Sequence, residues 1–260
     1  MIRLLAAGAS DVGPHRAVNQ DAAFTASWAA AVADGVGGGP SGDLASAALL
    51  HRLVAGHAVL PDAGGLVERL RLANWDLRAH TERDTSLRGM ATTFTGIFVG
   101  RDGEVLLAHS GDSRAYLLRG GVLRRQTRDD SYVQALVDRG LLDAEAAQTH
   151  PQRNIIKSSF AGGEADLPSV SVHEALAGDR WILCSDGLTD YVPEPVVQAA
   201  TASGTPAQAA QAAVAVALAA HTRDNVTVLV CDVVGAAPGR DRPVFYGAAA
   251  DRFNEELDTA

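Results

Sequence analysis

The chain of 260 residues is 47% hydrophobic and 20% charged, ordinary proportions for a globular protein long enough to bury a substantial core. Its formal net charge of −9 argues against a nucleic-acid or anionic-membrane binder, because both need a clustered positive face. The two cysteines, Cys184 and Cys231, each sit in an apolar run and read as small buried hydrophobes in a reducing, cytoplasmic setting.

In chain order, MIRLLAAGASDVG carries one arginine and a short apolar stretch soon interrupted by Asp11 and Pro14, so no secretory leader is expected. Ile2–Ala7 and Ala29–Ala33 predict strands, and apolar spacing of three and four predicts helices over Asp43–Leu60 and Leu66–Thr81. Thr92–Val99, Val105–His109 and Ala115–Leu118 read as strands. Asp102-Gly103 and Gly120-Gly121 supply the positive φ that hairpin turns between them need. Asp129 is expected to cap a helix running to Asp138, with Gly140 stopping it. Trp181–Cys184 is a strand. Thr205-Pro206 opens an alanine-rich helix to about His221, too short to cross a bilayer, and Val226–Val233 is the last strand.

Strands in clusters with helix pairs between them predict an α+β layered fold with antiparallel sheets. Neither a repeat nor a linker divides the chain before Val234, so residues 1–235 read as one domain. Residues 236–260 read as a tail, partly flexible or docked through Phe245, Tyr246 and Phe253.

Four aspartates carry the chemical signal. Asp34 (WAAAVADGVGG), Asp112 (VLLAHSGDSRAY) and Asp186 (RWILCSDGL) each end an apolar run beside a glycine, and Asp224 (HTRDNVTVLVCDV) precedes one. Strands deliver side chains to a rim, and carboxylates gathered there repel unless a cation neutralises them. Oxygen ligands without Cys/His spacing suit Mg²⁺ or Mn²⁺ better than zinc. Asp-Gly after a strand is also a common turn, so pattern alone leaves turns and a metal site both open.

The ordered motifs resemble the metal-dependent protein phosphatases, type 2C, in their compact bacterial form. SDVGPHRAVNQDA, ADGVGGGPSG, RGMATTFTG, HSGDSRAYLLRGG followed by TRDDSYVQALVDRGLLDAEAAQTHPQRN, CSDGLTDYV and RDNVTVLV carry the likeness over about residues 8 to 233. The resemblance implies a central antiparallel β-sandwich flanked by pairs of helices, a four-layer αββα arrangement. It also implies hydrolysis of phosphoserine and phosphothreonine by a hydroxide bridging two Mn²⁺ or Mg²⁺ ions. The implied partners are phosphorylated proteins of a bacterial kinase system, and the implied state is a monomer. By resemblance Asp34 bridges the two core metals, the Gly35 carbonyl ligates one, and Asp186 and Asp224 complete the other. Asp112 with Asp186 matches a third metal position, Asp21 acts on a metal through water, and Arg16 holds the substrate phosphate.

Three positions depart from the pattern. Gln20 replaces a glutamate near the second metal, Val36 stands where some members have a histidine, and NIIKSSFAGG (residues 154–163) replaces the usual flap ending. His15 and His109 read as structural, and Arg114 as an ion-pair partner. Gln20 and Lys157-Ser158-Ser159 support the alternative, a pseudophosphatase that binds phosphoproteins without turnover.

Overall fold

The computed structural model describes residues 1–36, 41–55, 61–236 and 241–252. Among them the elements run β1 (Arg3–Asp11), β2 (Asp21–Thr25), β3 (Ala29–Val36), α1 (Gly42–Ala55), α2 (Ala63–Arg83), β4 (Ala91–Thr92), β5 (Phe94–Val99) and β6 (Val105–Ser110). They continue with β7 (Arg114–Arg119), β8 (Val122–Arg125), α3 (Tyr132–Asp138), α4 (Ala144–Gln148), β9 (Ser169–His173), β10 (Arg180–Cys184), α5 (Asp186–Thr189) and α6 (Glu194–Thr201). Last come α7 (Pro206–Ala219), β11 (Val226–Val234), β12 (Val244–Gly247) and α8 (Ala248–Arg252).

Two antiparallel sheets form. One has the order β1-β11-β10-β7-β8; the other runs β12-β2-β3-β5-β6-β9 with β4 added to β3. Period-two patterning explains why they stack. In β10 and β11, Trp181, Leu183, Leu229, Cys231 and Val233 point into the space between the sheets. Their alternates Ile182, Cys184, Val226, Val228 and Val230 pack outward on α6 and α7. The second sheet treats α1, α2 and α8 likewise, burying Phe24, Phe94 and Phe98 against Leu49, Leu50, Leu66 and Leu70. Helices, sheet, sheet, helices: these are the four layers expected.

Several local readings hold in detail. Gly120 and Gly121 both take positive φ (59° and 79°), as a tight β7–β8 hairpin requires. Thr205 caps α7 in a reciprocal capping box with Gln208. The cap expected at Asp129 is instead Ser131, whose hydroxyl accepts the Gln134 N–H at 3.2 Å. Asp129 serves elsewhere, paired with Arg114 at 2.7 Å and with Arg125. Residues 56–60 of the first expected helix, and Phe253, lie outside the described residues. Of the segment expected as a tail, residues 244–252 supply β12 and α8. There Phe245 stacks on His51 with centroids 4.1 Å apart, and Tyr246 Oη lies 3.1 Å from Thr25 Oγ1. Among the described residues, no helix is long and apolar enough to cross a membrane.

Candidate metal and phosphate site

The antiparallel register of β2 and β3 sets Asp21 directly opposite Asp34. Asp34 is fixed by its own backbone. Its N–H donates to Thr93 Oγ1 at 3.0 Å, and its carbonyl accepts from Thr93 N–H at 2.8 Å and Thr92 Oγ1 at 3.0 Å. Thr93 Oγ1 also meets Ser113 Oγ at 2.7 Å, tying β3 to the turn that carries Asp112. That turn needs Gly111: its φ is +112°, and a Cβ there would lie 2.6 Å from Thr93 Cγ2.

Asp186 opens α5 immediately after β10, with Ser185 as its N-cap residue. Ser185 Oγ donates to Asp21 Oδ2 at 2.6 Å and accepts the Thr227 N–H at 3.0 Å, so one hydroxyl links both sheets. Asp224 precedes β11. Asn225, buried beside it, accepts the Gln20 N–H at 2.8 Å and donates to the carbonyls of Val12 at 2.9 Å and Val18 at 3.1 Å. The loop bearing Arg16 is thereby fastened to the base of β11. Arg16 itself is exposed and donates to Asp224 Oδ2 at 2.6 Å.

The electrostatics are those of a cation site. Burial, then Asp21, Asp186, Asp112 and Asp224, push the Asp34 carboxyl well above the usual range. Burial, then Asp112 and Asp190, do the same to Asp186. Asp112 is pushed up to about 7 by burial and by Asp129 and Asp190. Asp21, with no exposed surface, is pushed up to about 6 by burial, against the Ser185 hydroxyl that favours its charged form. Carboxyls so placed either hold protons or accept a positive ion.

The donor set fits Mn²⁺ or Mg²⁺ in chemistry: hard carboxylate oxygens and a backbone carbonyl. Asp21, Asp112 and Asp186 each keep one buried Oδ1 without a hydrogen-bond partner, acceptors that a cation would satisfy. Among the described residues, no three acidic, imidazole or thiol groups yet converge closely enough to grip one ion. The rim is thus a set of neighbouring, mutually repelling carboxylates rather than a closed cage. Gly35 lies against α1 so tightly that a Cβ would come within 2.4 Å of the Gly42 backbone.

The remaining expected residues sort clearly. Gln20 contributes its backbone: its carbonyl accepts from Gly35 N–H at 3.1 Å and Ser46 Oγ at 2.6 Å. His109 is structural, buried with Nε2 donating to the Arg128 carbonyl at 3.0 Å and Nδ1 2.9 Å from Thr95 Oγ1. His15 is exposed. Arg114 is an ion-pair partner of Asp129. Beside Asp112 and Asp186 a cavity of about 540 Å³ opens beneath α3 and α4, with Arg153 and Asp190 on its wall.

Sequence reasoning missed Asn225, Ser185 and Thr93, which touch the rim aspartates or the loops beside them. Ser185 and Asn225 directly adjoin motif aspartates and Thr93 stands between β4 and β5, which both pair with β3, but their roles depend on partners up to 213 positions away.

The family described as Protein phosphatase 2C matches residues 15–220. Serine/threonine protein phosphatase PstP of Mycobacterium tuberculosis is 40% identical over 252 residues, covering 94% of this chain, which spans 48% of that relative's length. Serine/threonine phosphatase stp of Listeria monocytogenes is 32% identical over 222 residues, 81% of this chain and 86% of that protein. The crystal structure of the M. tuberculosis PstP superposes with a TM-score of 0.85 at 38% identity, covering 90% of this chain and all of that one. A PstP catalytic domain in complex with two manganese ions superposes with a TM-score of 0.83 at 36% identity, with the same coverage.

Proposed function

This chain belongs to the protein phosphatase 2C family, and we propose that it hydrolyses phosphoserine and phosphothreonine esters in proteins with two bound Mn²⁺ or Mg²⁺ ions. The observation that carries the reading is the rim itself: Asp21, Asp34, Asp112, Asp186 and Asp224 gathered at one end of the sandwich, where burial and neighbouring carboxylates raise the carboxyl pKa values of the first four. Relatives named as serine/threonine phosphatases, one of them holding two manganese ions, support it. When bound, the cations supply Lewis acidity, lowering the pKa of water and offsetting charge on the phosphoryl oxygens.

The protein's own groups do the rest. Asp34, Asp186, Asp224 and the Gly35 carbonyl would hold the ions, with Asp21 acting through water. Arg16 turns its planar guanidinium to two phosphate oxygens, a task its exposure and its place beside Asp224 allow. Neither cysteine takes part. Both are buried, on opposite faces of their sheet, and burial pushes the Cys184 thiol up to about 12 and Cys231 higher still. No side chain is required to form a covalent phosphoenzyme.

We further infer that Asp112 and Asp186 would hold a third cation, that the protein is a cytoplasmic monomer, and that its substrates include a serine/threonine kinase and its targets. Residues 1–235 carry the catalytic residues. The test is release of phosphate from a phosphothreonine peptide by the purified protein with Mn²⁺, compared with the same protein after chelation. Equal rates in the two samples would end this reading.

A further inference from the structure

The polypeptide between residues 244 and 252 reaches the candidate site from two directions. β12 pairs with β2, placing Gly247 opposite Ala22 and next to Asp21. Gly247 adopts φ +60°, and a Cβ on it would lie 2.2 Å from the Asp21 carbonyl oxygen and 3.0 Å from Ser10 Oγ. Only glycine lets the chain turn this closely under the first rim aspartate.

From that turn α8 crosses onto α1. Ala248 and Ala249 are buried in the outer core, and the Ala249 carbonyl lies 2.8 Å from His51 Nε2. Arg252 then closes the contact: its Nε donates to Asp43 Oδ2 at 2.6 Å, and a second guanidinium nitrogen meets the same oxygen. The Asp43 side chain is only 11% exposed, so water screens this pair less than an open surface pair. Asp43 lies in the first turn of α1, next to Gly42, whose backbone presses on Gly35. One turn on, Ser46 Oγ donates to the Gln20 carbonyl, which also receives the Gly35 N–H.

We propose that the 244–252 segment is a clamp that positions the metal-binding end of the sandwich, with Arg252 and Asp43 as positioning residues. Gly247 sets the height of Asp21, and the Arg252–Asp43 pair holds the start of α1 against the Gly35 carbonyl. A clamp that merely covered apolar surface would need neither a charged pair at the first turn of α1 nor a positive φ beneath Asp21. The inference rests on the rim being a divalent-cation site, so its test reads metal binding first.

The experiment titrates Mn²⁺ by calorimetry into the full chain and into Arg252→Gln, Arg252→Lys and Arg71→Gln. Arg71 pairs with Glu68 on the exposed side of α2, away from the rim, and controls for the loss of any surface ion pair. Arg252→Gln is expected to bind Mn²⁺ about threefold to tenfold more weakly, with Arg252→Lys largely restoring affinity and Arg71→Gln matching the parent. Gly247→Ala, which strains the turn directly, is expected to weaken binding further. Equal affinity in parent and Arg252→Gln, or equal weakening in Arg252→Gln and Arg71→Gln, would overturn the clamp. Absence of Mn²⁺ binding by the parent would instead overturn the metal-site reading beneath it.

Discussion

Removing the Asn225 side chain would release the loop that carries Arg16 from the base of β11. That side chain is buried and spends three hydrogen bonds on the loop from Val12 to Gln20, which carries Arg16. Asn225→Ala removes all three and leaves the Gln20 N–H and two carbonyls to find water. At about 1 kcal/mol for each bond, with part of the desolvation cost of the stranded groups added, the loss is roughly 2–4 kcal/mol. For a protein of this size that corresponds to a melting temperature lower by about 5–15 °C. Arg16 would lose its fixed position, so kcat/KM for a phosphothreonine peptide should fall by about 10- to 100-fold. Asn225→Asp is the sharper probe. It keeps an acceptor for the Gln20 N–H but turns an oxygen toward the carbonyls of Val12 and Val18, so it should be as damaging as alanine. Thermal melts and steady-state kinetics decide the matter. A variant that melts within about 1 °C of the parent and retains its kcat/KM would refute the claim that this side chain fastens the Arg16 loop.

Other consequences can be measured alongside. Arg16→Lys retains charge but loses the planar fork, so it should lower kcat/KM about tenfold or more while Mn²⁺ titration stays unchanged. Gly35→Ala must push a Cβ into the Gly42 backbone, with no flexible side chain to yield; it should cost about 1–3 kcal/mol and weaken Mn²⁺ binding, read by melts and calorimetry. Asp112 is raised to about 7 in the fold from 3.8, so the metal-free protein keeps a proton there that the unfolded chain has released. Metal-free stability should therefore fall as pH climbs from about 4 to about 7, and denaturant melts of Asp112→Asn should lack that part of the slope. With Mn²⁺ present, Asp112→Asn should slow turnover yet still bind two ions.

Much of this architecture could be read from the chain because burial follows period. β10 and β11 alternate between two cores, so their runs announce both strand and sandwich. β2 is hard to read because its five residues, DAAFT, open on a charge and include two alanines, without the run of large apolar side chains that marks β5 and β6. β9, at a sheet edge, is mostly exposed and carries little apolar signal. The Asp129 cap was misplaced because an aspartate and a serine two residues apart can each start a helix. Ion pairs of Asp129 with Arg114, 15 positions away, and with the nearby Arg125 decided which did. The rim aspartates were legible since each sits at a strand end in its own motif. The groups that aim them were not: Ser185 meets Asp21 across 164 positions, and Asn225 reaches Val12 across 213. Contacts of that range come from topology, not from local pattern.

The most direct test of the central claim is anomalous diffraction at the manganese edge from crystals grown with Mn²⁺. The account predicts two strong peaks about 3.5–4 Å apart among Asp34, the Gly35 carbonyl, Asp186 and Asp224, with the one beside Asp186 and Asp224 lost from crystals of Asp186→Ala. No peak at this rim, or peaks that persist unchanged in Asp186→Ala, would contradict it.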